Sequence, residues 1–191
     1  MNKILATVSL NSILAYGPCK AGLDAFKAKF GHLDPDTPIP LLDCLESNSV
    51  PDLIWALRAV HQDIAILVPL IAADLAESVL HIFEEKLPQD DQPRKAIEAV
   101  RSGDVEKART AAAYIASAAY DAYVSDISAA YAAAAAAYAA HTYATYVVYT
   151  FDAPAAVAAA TRTAVYAHSS ANVAERSKQS EILRKYFTTQ E

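Results

Sequence analysis

Across 191 residues there are only two cysteines, four glycines, one tryptophan and one methionine. Each scarcity closes a class of function. Cys19 and Cys44 are far apart, with Gly and several Pro between them, so they form neither a CxxC redox pair nor a zinc site; both read as reduced, buried thiols. So few glycines make phosphate-cradling loops hard to build, and no P-loop, GxGxxG, GxSxG, HExxH or kinase motif occurs. Basic residues are outnumbered, 16 Lys and Arg against 22 Asp and Glu, for a formal charge of −6. Without a basic patch to neutralise phosphates, nucleic acid is not an expected partner, whereas a basic protein surface is. Met1 to Leu14 carries a single Lys3 and no cleavage signature, so a signal peptide is not expected and the location reads as cytoplasmic.

Charge is missing altogether from Ile127 to Phe151. That stretch has the length of a membrane span, but Ala, Thr, His141 and tyrosines make it only weakly hydrophobic, without flanking basic clusters. Membrane insertion is therefore not expected. What the stretch does contain is alanine and tyrosine, including six consecutive alanines, Ala132 to Ala137. Alanine freezes no side-chain rotamers on entering a helix, so Tyr114 to Phe151 is predicted to be helical. At about 100° per residue, Tyr120, Tyr123, Ile127, Tyr131, Tyr138 and Tyr149 share one arc of roughly 80°. Such a stripe fills gaps while neighbouring helices approach the alanines closely, or its hydroxyls line a recognition surface.

The rest of the chain reads as shorter helices. Gly17-Pro18 is a turn, Cys19 to Phe30 a helix with Leu23, Phe26 and Phe30 on one face, and Gly31, the residue after its C-cap, ends it. Pro35, Pro38 and Pro40 make His32 to Pro40 an ordered loop, before a short helical piece, Leu41 to Glu46. Ser49, Pro51 and Asp52 start a helix carrying Leu53, Ile54, Trp55, Leu57 and Val60, with Arg58 outward. Ile64 to Leu87 is apolar, with a kink or boundary expected near Val68 because of Pro69. Its second half places Leu75, Val79, Ile82 and Phe83 on a core face, with Asp74, Glu77, Glu84 and Lys86 largely elsewhere. Asp91 caps a helix from Pro93 to Ser102, closed by Gly103, and Asp104 caps the alanine-rich region. Ser125 and Asp126 mark a break within it, and Asp152 and Pro154 start a helix through Val157 and Val165 towards Ile182, Leu183 and Tyr186. No alternating strand pattern competes. The predicted fold is all-α, an antiparallel helical bundle in a single domain over 1–191, with mixed helices and a Pro-rich loop in 1–50 and a helical core in 51–191.

Few clusters suggest chemistry. Glu77, His81 and Glu84 share a helix face, but a carboxylate bundle site needs a second ExxH helix, and none occurs. No metal or cofactor is therefore expected. His61 with Asp63, and His168 with Ser169 and Ser170, lack the partners of a catalytic triad, so no enzyme is expected. The strongest local signal is Asp90 to Gly103: Asp91 at the helix start, Pro93 in its first turn, and Glu98 within reach of Arg94 or Lys95, with Arg101 near the end.

This segment, together with the Ala/Tyr-rich region and the ending Glu175-Arg176-Ser177-Lys178-Gln179-Ser180-Glu181-Ile182-Leu183, resembles an immunity-protein family of alanine- and tyrosine-rich helical members. Gly17 to Phe26 and the Trp-containing Asp52 to Leu57 are similar to other parts of that family. Ser102 stands where related sequences have an aromatic residue. The resemblance implies a small cytosolic inhibitor that binds an effector or toxin protein, or, if phage-borne, a host defence component. On that reading Asp91, Arg94, Lys95, Glu98, Arg101, Tyr120, Tyr123, Tyr131 and Tyr138 are candidate contact residues. Two other readings stay open. One is capture of a small nucleotide-derived ligand between helices by tyrosine faces, with Arg94, Lys95, Arg101, Arg109 or Arg162 supplying positive charge. The other is a structural module that forms a homo-oligomer through the alanine face.

Overall fold

A computed structural model gives the fold and describes residues 3–64, 66–112, 127–148, 162–163, 165–169 and 173–189. The N-terminal segment departs from the all-helix reading. β1 (Thr7–Val8) pairs antiparallel with β2 (Ile39–Pro40), Thr7 opposite Pro40 and Val8 opposite Ile39. Two-residue strands are too short to show an alternating pattern in sequence. The Leu41 N–H donates to Ala6 O (2.8 Å), and the Thr7 N–H donates to Gln62 Oε1 (2.8 Å). Ile4 makes a parallel bridge to Phe187, donating to Tyr186 O at 2.9 Å and accepting from the Thr188 N–H at 3.0 Å. One short strap thus gathers three distant parts of the chain.

Helix ends follow local signals. α1 (Leu10–Leu14) starts at a Ser9/Ser12 capping box, and Gly17 turns the chain with φ 63°, a left-handed conformation that glycine adopts without Cβ strain. α2 (Lys20–Phe30) begins at Cys19, whose thiol accepts the Gly22 N–H at 3.4 Å. Cys19 is exposed rather than buried, its thiol turned back onto the first turn of α2; Cys44 is the buried cysteine, and both are free. Gly31 ends α2 as expected, standing at the C-cap itself with φ −67°. After a 3-10 turn at Leu41–Glu46, α3 (Val50–Ala56) opens on a reciprocal cap: Asp52 Oδ2 accepts the Ser49 N–H at 3.0 Å and Ser49 Oγ accepts the Asp52 N–H at 3.4 Å. A 3-10 turn at Leu57–Ala59 ends the regular helix before Val60. Arg58 does not point outward: its guanidinium lies 4.9 Å from the Trp55 ring centroid and its Nε donates to Trp55 O.

α4 (Leu67–Lys86) is the hub. Pro69 falls in its first turn, where no intrahelical donor is required, so it marks a start and not a kink. Val68, Ile71, Ala72, Leu75, Ala76, Val79 and Phe83 are fully buried. α5 (Gln92–Ser102) follows and closes at Gly103 with φ 73°, the left-handed terminator its sequence predicts. Asp104 Oδ1 accepts the Lys107 N–H at 3.0 Å and caps α6, residues 105–112. α7 (Ile127–Val148) packs most extensively on α4 and then on α5, while α9 (Val173–Tyr186) also packs on α4; a further helical stretch at 165–169 is α8. The protein is an all-α helical bundle, and its buried apolar side chains form one cluster running from Ala6 to Phe187. Among the described residues, no helix is long and apolar enough to cross a membrane. Tyr114, Tyr120, Tyr123, Ser125, Asp126, Tyr149, Asp152, Pro154 and Val157 lie outside the described residues.

The packing of α7 explains its composition. Ala129, Ala132, Ala133, Ala135, Ala136, Ala139 and Ala140 are all fully buried, whereas Ile127, Tyr131, Ala134, Tyr138 and His141 trace the less buried stripe. Small side chains let α7 approach its neighbours closely, and the stripe spacing of three and four residues keeps Tyr131 and Tyr138 on one side.

α9 carries one polar defect. Gln179 is fully buried, with Oε1 3.4 Å from His168 Nδ1 and Nε2 without a hydrogen-bond partner. A buried unpaired amide donor costs about 1–3 kcal/mol. Gln179→Met is therefore expected to raise stability by about 1 kcal/mol, since half-exposed His168 can return to water. Urea unfolding at neutral pH would show the midpoint move up without a change in slope.

Candidate functional site

The five charged candidates, Asp91 at the N-cap of α5 and four within it, come together on one side. Asp91, Arg94, Lys95, Glu98 and Arg101 all lie on its exposed face, because their spacing returns to one side each turn while Ala96, Ile97, Ala99 and Val100 are buried. Their partners differ from those expected. Asp91 makes no side-chain cap; Asp90 Oδ1 accepts the Gln92 N–H at 3.0 Å instead, and Asp91 pairs with Lys95 at 2.8 Å. Arg94 reaches across to α4 and binds Glu84 through two bonds of 2.7 Å, rather than pairing with Glu98 one turn away. Those bonds hold the Arg94 guanidinium above its ordinary pKa, and Glu98 adds only a weaker field.

Arg101 is the most committed cation. It donates to Glu77 at 2.8 and 2.5 Å and to Asp74 at 2.8 Å, which pushes its pKa further up. Asp74 also accepts from Tyr186 Oη at 3.0 Å and from Lys185 Nζ at 3.2 Å, so one carboxylate joins α4, α5 and α9. Burial alone would raise the Asp74 carboxyl, but the bonds from Arg101, Lys185 and Tyr186 outweigh it and hold it low. The Glu77 carboxyl is held low chiefly by its bond from Arg101. Glu77 and Glu84 are thus each taken by an arginine, and among the described residues no group of three or more His, Cys, Asp or Glu is placed to hold a metal ion. Beside this seam, Lys95 and Glu98 face an open groove between α5 and α6 that also carries Glu106 and Lys107. Its charges alternate in sign, which suits no single charged ligand.

The tyrosine candidates form a second face. Tyr131 and Tyr138 are half-buried, and Tyr166 of α8 meets both, at centroid distances of 5.7 Å and 5.4 Å, the latter pair stacked at 12°. Exposed Arg162 places its guanidinium carbon 5.5 Å from the Tyr138 ring centroid, and exposed His141 meets the same ring edge-on at 6.5 Å. Each contact of this kind is worth about 0.5–1.5 kcal/mol, so the rings are held in place before any partner arrives. Tyr120 and Tyr123 fall outside the described residues. Tyr166 escaped sequence reasoning. Its spacing of four from Arg162 is a local signal, but its stacking on Tyr138 depends on how α8 crosses α7.

Comparison with protein-family models, with curated proteins and with solved structures finds no match to this chain.

Proposed function

We propose that this chain is a non-enzymatic binding protein of the immunity type, which neutralises an effector or toxin protein in the cytoplasm by covering it with the tyrosine face of α7 and α8. The observation that carries this reading is the cluster of Tyr131, Tyr138, Tyr166 and Arg162, whose rings are stacked yet still reach the surface. Tyrosine and arginine are the side chains that most often anchor protein interfaces, and rings already fixed lose little entropy on binding. The net charge of −6 favours a basic partner surface. Capture of an anionic nucleotide-derived ligand has less support, because Arg94 and Arg101 are already bound to Glu84, Glu77 and Asp74.

The test uses tagged wild-type chain and Tyr138→Ala as baits in lysate from the source cells, with eluates analysed for protein and small molecules by mass spectrometry. A stoichiometric protein held by wild type, with affinity weakened about 30-fold by Tyr138→Ala, is the expected result, equivalent to about 2 kcal/mol for an anchoring tyrosine. A bound nucleotide without protein would overturn the proposal in favour of ligand capture. A self-associated oligomer with no partner would overturn it in favour of a structural role.

A further inference from the structure

Away from the tyrosine stripe of α7, the N-terminal helices line a half-open pocket of about 170 Å³ between α1, α2, the 3-10 turn at Leu41–Glu46 and α3, with Val165 at one edge. Its walls are mainly apolar: Ile13, Leu23, Phe26, Leu53 and the Trp55 ring. A dry apolar space of roughly 150 Å³ is enough to hold benzene, so this one has room for a single ring and a short arm. Gly22 shapes the polar end. A Cβ there would stand 3.1 Å from Asp52 Oδ1 and 3.3 Å from Cys19 Sγ, a tight fit, so glycine lets the Asp52 carboxylate and the Cys19 thiol pack closely against α2 at this end. Asn48 holds this end in place by donating from Nδ2 to Gly22 O at 2.9 Å.

The two oxygens of Asp52 have different surroundings. Oδ2 accepts from the Ser49 N–H at 3.0 Å and the Ser49 hydroxyl at 2.6 Å, completing the cap of α3, while Oδ1 is turned toward Gly22. The cap therefore fixes the Asp52 side chain, one of the lining residues, and leaves Oδ1 outside the capping bonds. An apolar chamber with one fixed anionic acceptor selects for shape at one end and for a cationic donor at the other.

We propose that this cavity binds a small molecule with an apolar, ring-sized body and one primary ammonium group, an aralkylamine, with the ring against Phe26, Leu23 and Trp55 and the ammonium donating to Asp52 Oδ1. The site is independent of the protein-binding reading and stands or falls without it.

Trp55 is the single tryptophan of the chain and a wall of the cavity, so its fluorescence reports occupancy directly. The probes are phenethylamine and its neutral counterpart 2-phenylethanol, titrated into the full chain. The expected result is a saturable change with phenethylamine at a concentration at least tenfold below that needed for 2-phenylethanol. Asp52→Asn, which keeps a capping oxygen but loses the charge, should abolish that preference, and Ala56→Leu, which fills the cavity, should abolish the response. A second readout needs no variant. Cys19 lines the cavity and is exposed, whereas Cys44 is buried and its thiol is pushed up to about 12, chiefly by burial and then by Asp43. Iodoacetamide should therefore modify Cys19 first, and saturating phenethylamine should slow that reaction at least fivefold.

Failure of both probes to change Trp55 fluorescence or Cys19 alkylation would overturn the proposal. Equal affinity for the amine and the alcohol would overturn the role of Asp52. A response retained in folded Ala56→Leu would remove the ligand from this cavity, and if that variant does not fold, Cys19 protection in the unaltered chain decides the question.

Discussion

Ala136→Leu is expected to destabilise the protein by about 2–3 kcal/mol, although it replaces a good helix former with another. Ala136 is fully buried on α7, whose largest interfaces are with α4 and α5. Its neighbours along the helix, Ala132, Ala133, Ala139 and Ala140, are equally buried, so a leucine here enters a seam with no exposed edge to escape to. The added carbons must push helices apart, which loosens contacts along the whole seam. Ala134→Leu is the control. It lies on the less buried stripe between Tyr131 and Tyr138 and should cost less than about 1 kcal/mol. Urea unfolding of the two variants beside wild type would decide between them; equal midpoints for Ala134→Leu and Ala136→Leu would show that the alanine face is not closely packed.

Asp74→Ala is expected to cost a similar amount, about 2–3 kcal/mol, for a different reason. The Asp74 side chain is only 14% exposed, and it accepts from Arg101, Lys185 and Tyr186. Lys185 is largely exposed and recovers its hydration, and Arg101 keeps Glu77. The main loss is at Tyr186, 7% exposed, whose hydroxyl is left without its acceptor. Asp74→Asn, which retains an oxygen, should lose roughly half as much.

The effect has a defined pH dependence. Because the folded-state Asp74 carboxyl lies below its ordinary value of 3.8, the unfolded chain takes up the proton first as acid is added. The stabilisation is fully present above the unfolded value and is lost as pH falls through the folded one. The gap between wild type and Asp74→Ala should therefore be unchanged from pH 7 to about 5 and should narrow below about pH 4. A gap that widens in acid would contradict the ionised, hydrogen-bonded state of Asp74.

Several features of the architecture were legible locally. Ser49 with Asp52, Gly103 after α5, and Asp104 before α6 each set a helix end through contacts within four residues, and the structure uses each in that way. Pro69 was legible as a boundary, but its position in the first turn depended on where α4 began. Asp90 and Asp91 show the limit of local reading. Both can cap α5; the backbone entering the helix gave the Gln92 N–H to Asp90 and left Asp91 to Lys95.

By itself, the sequence determined that the chain is helical, where several helices stop, and that Tyr131 and Tyr138 share one side of α7. These follow from backbone propensity, capping and the helical repeat, which act over one or two turns. Tertiary structure decided the rest. Arg94 chose Glu84 over nearby Glu98, Arg101 chose Glu77 and Asp74, Tyr166 stacked on Tyr138, and residues on α2 and α3 lined a pocket beside Trp55. Such contacts, and the half-open shape of the pocket beside Trp55, are set by which helix surfaces meet, and that depends on the fit of the whole core.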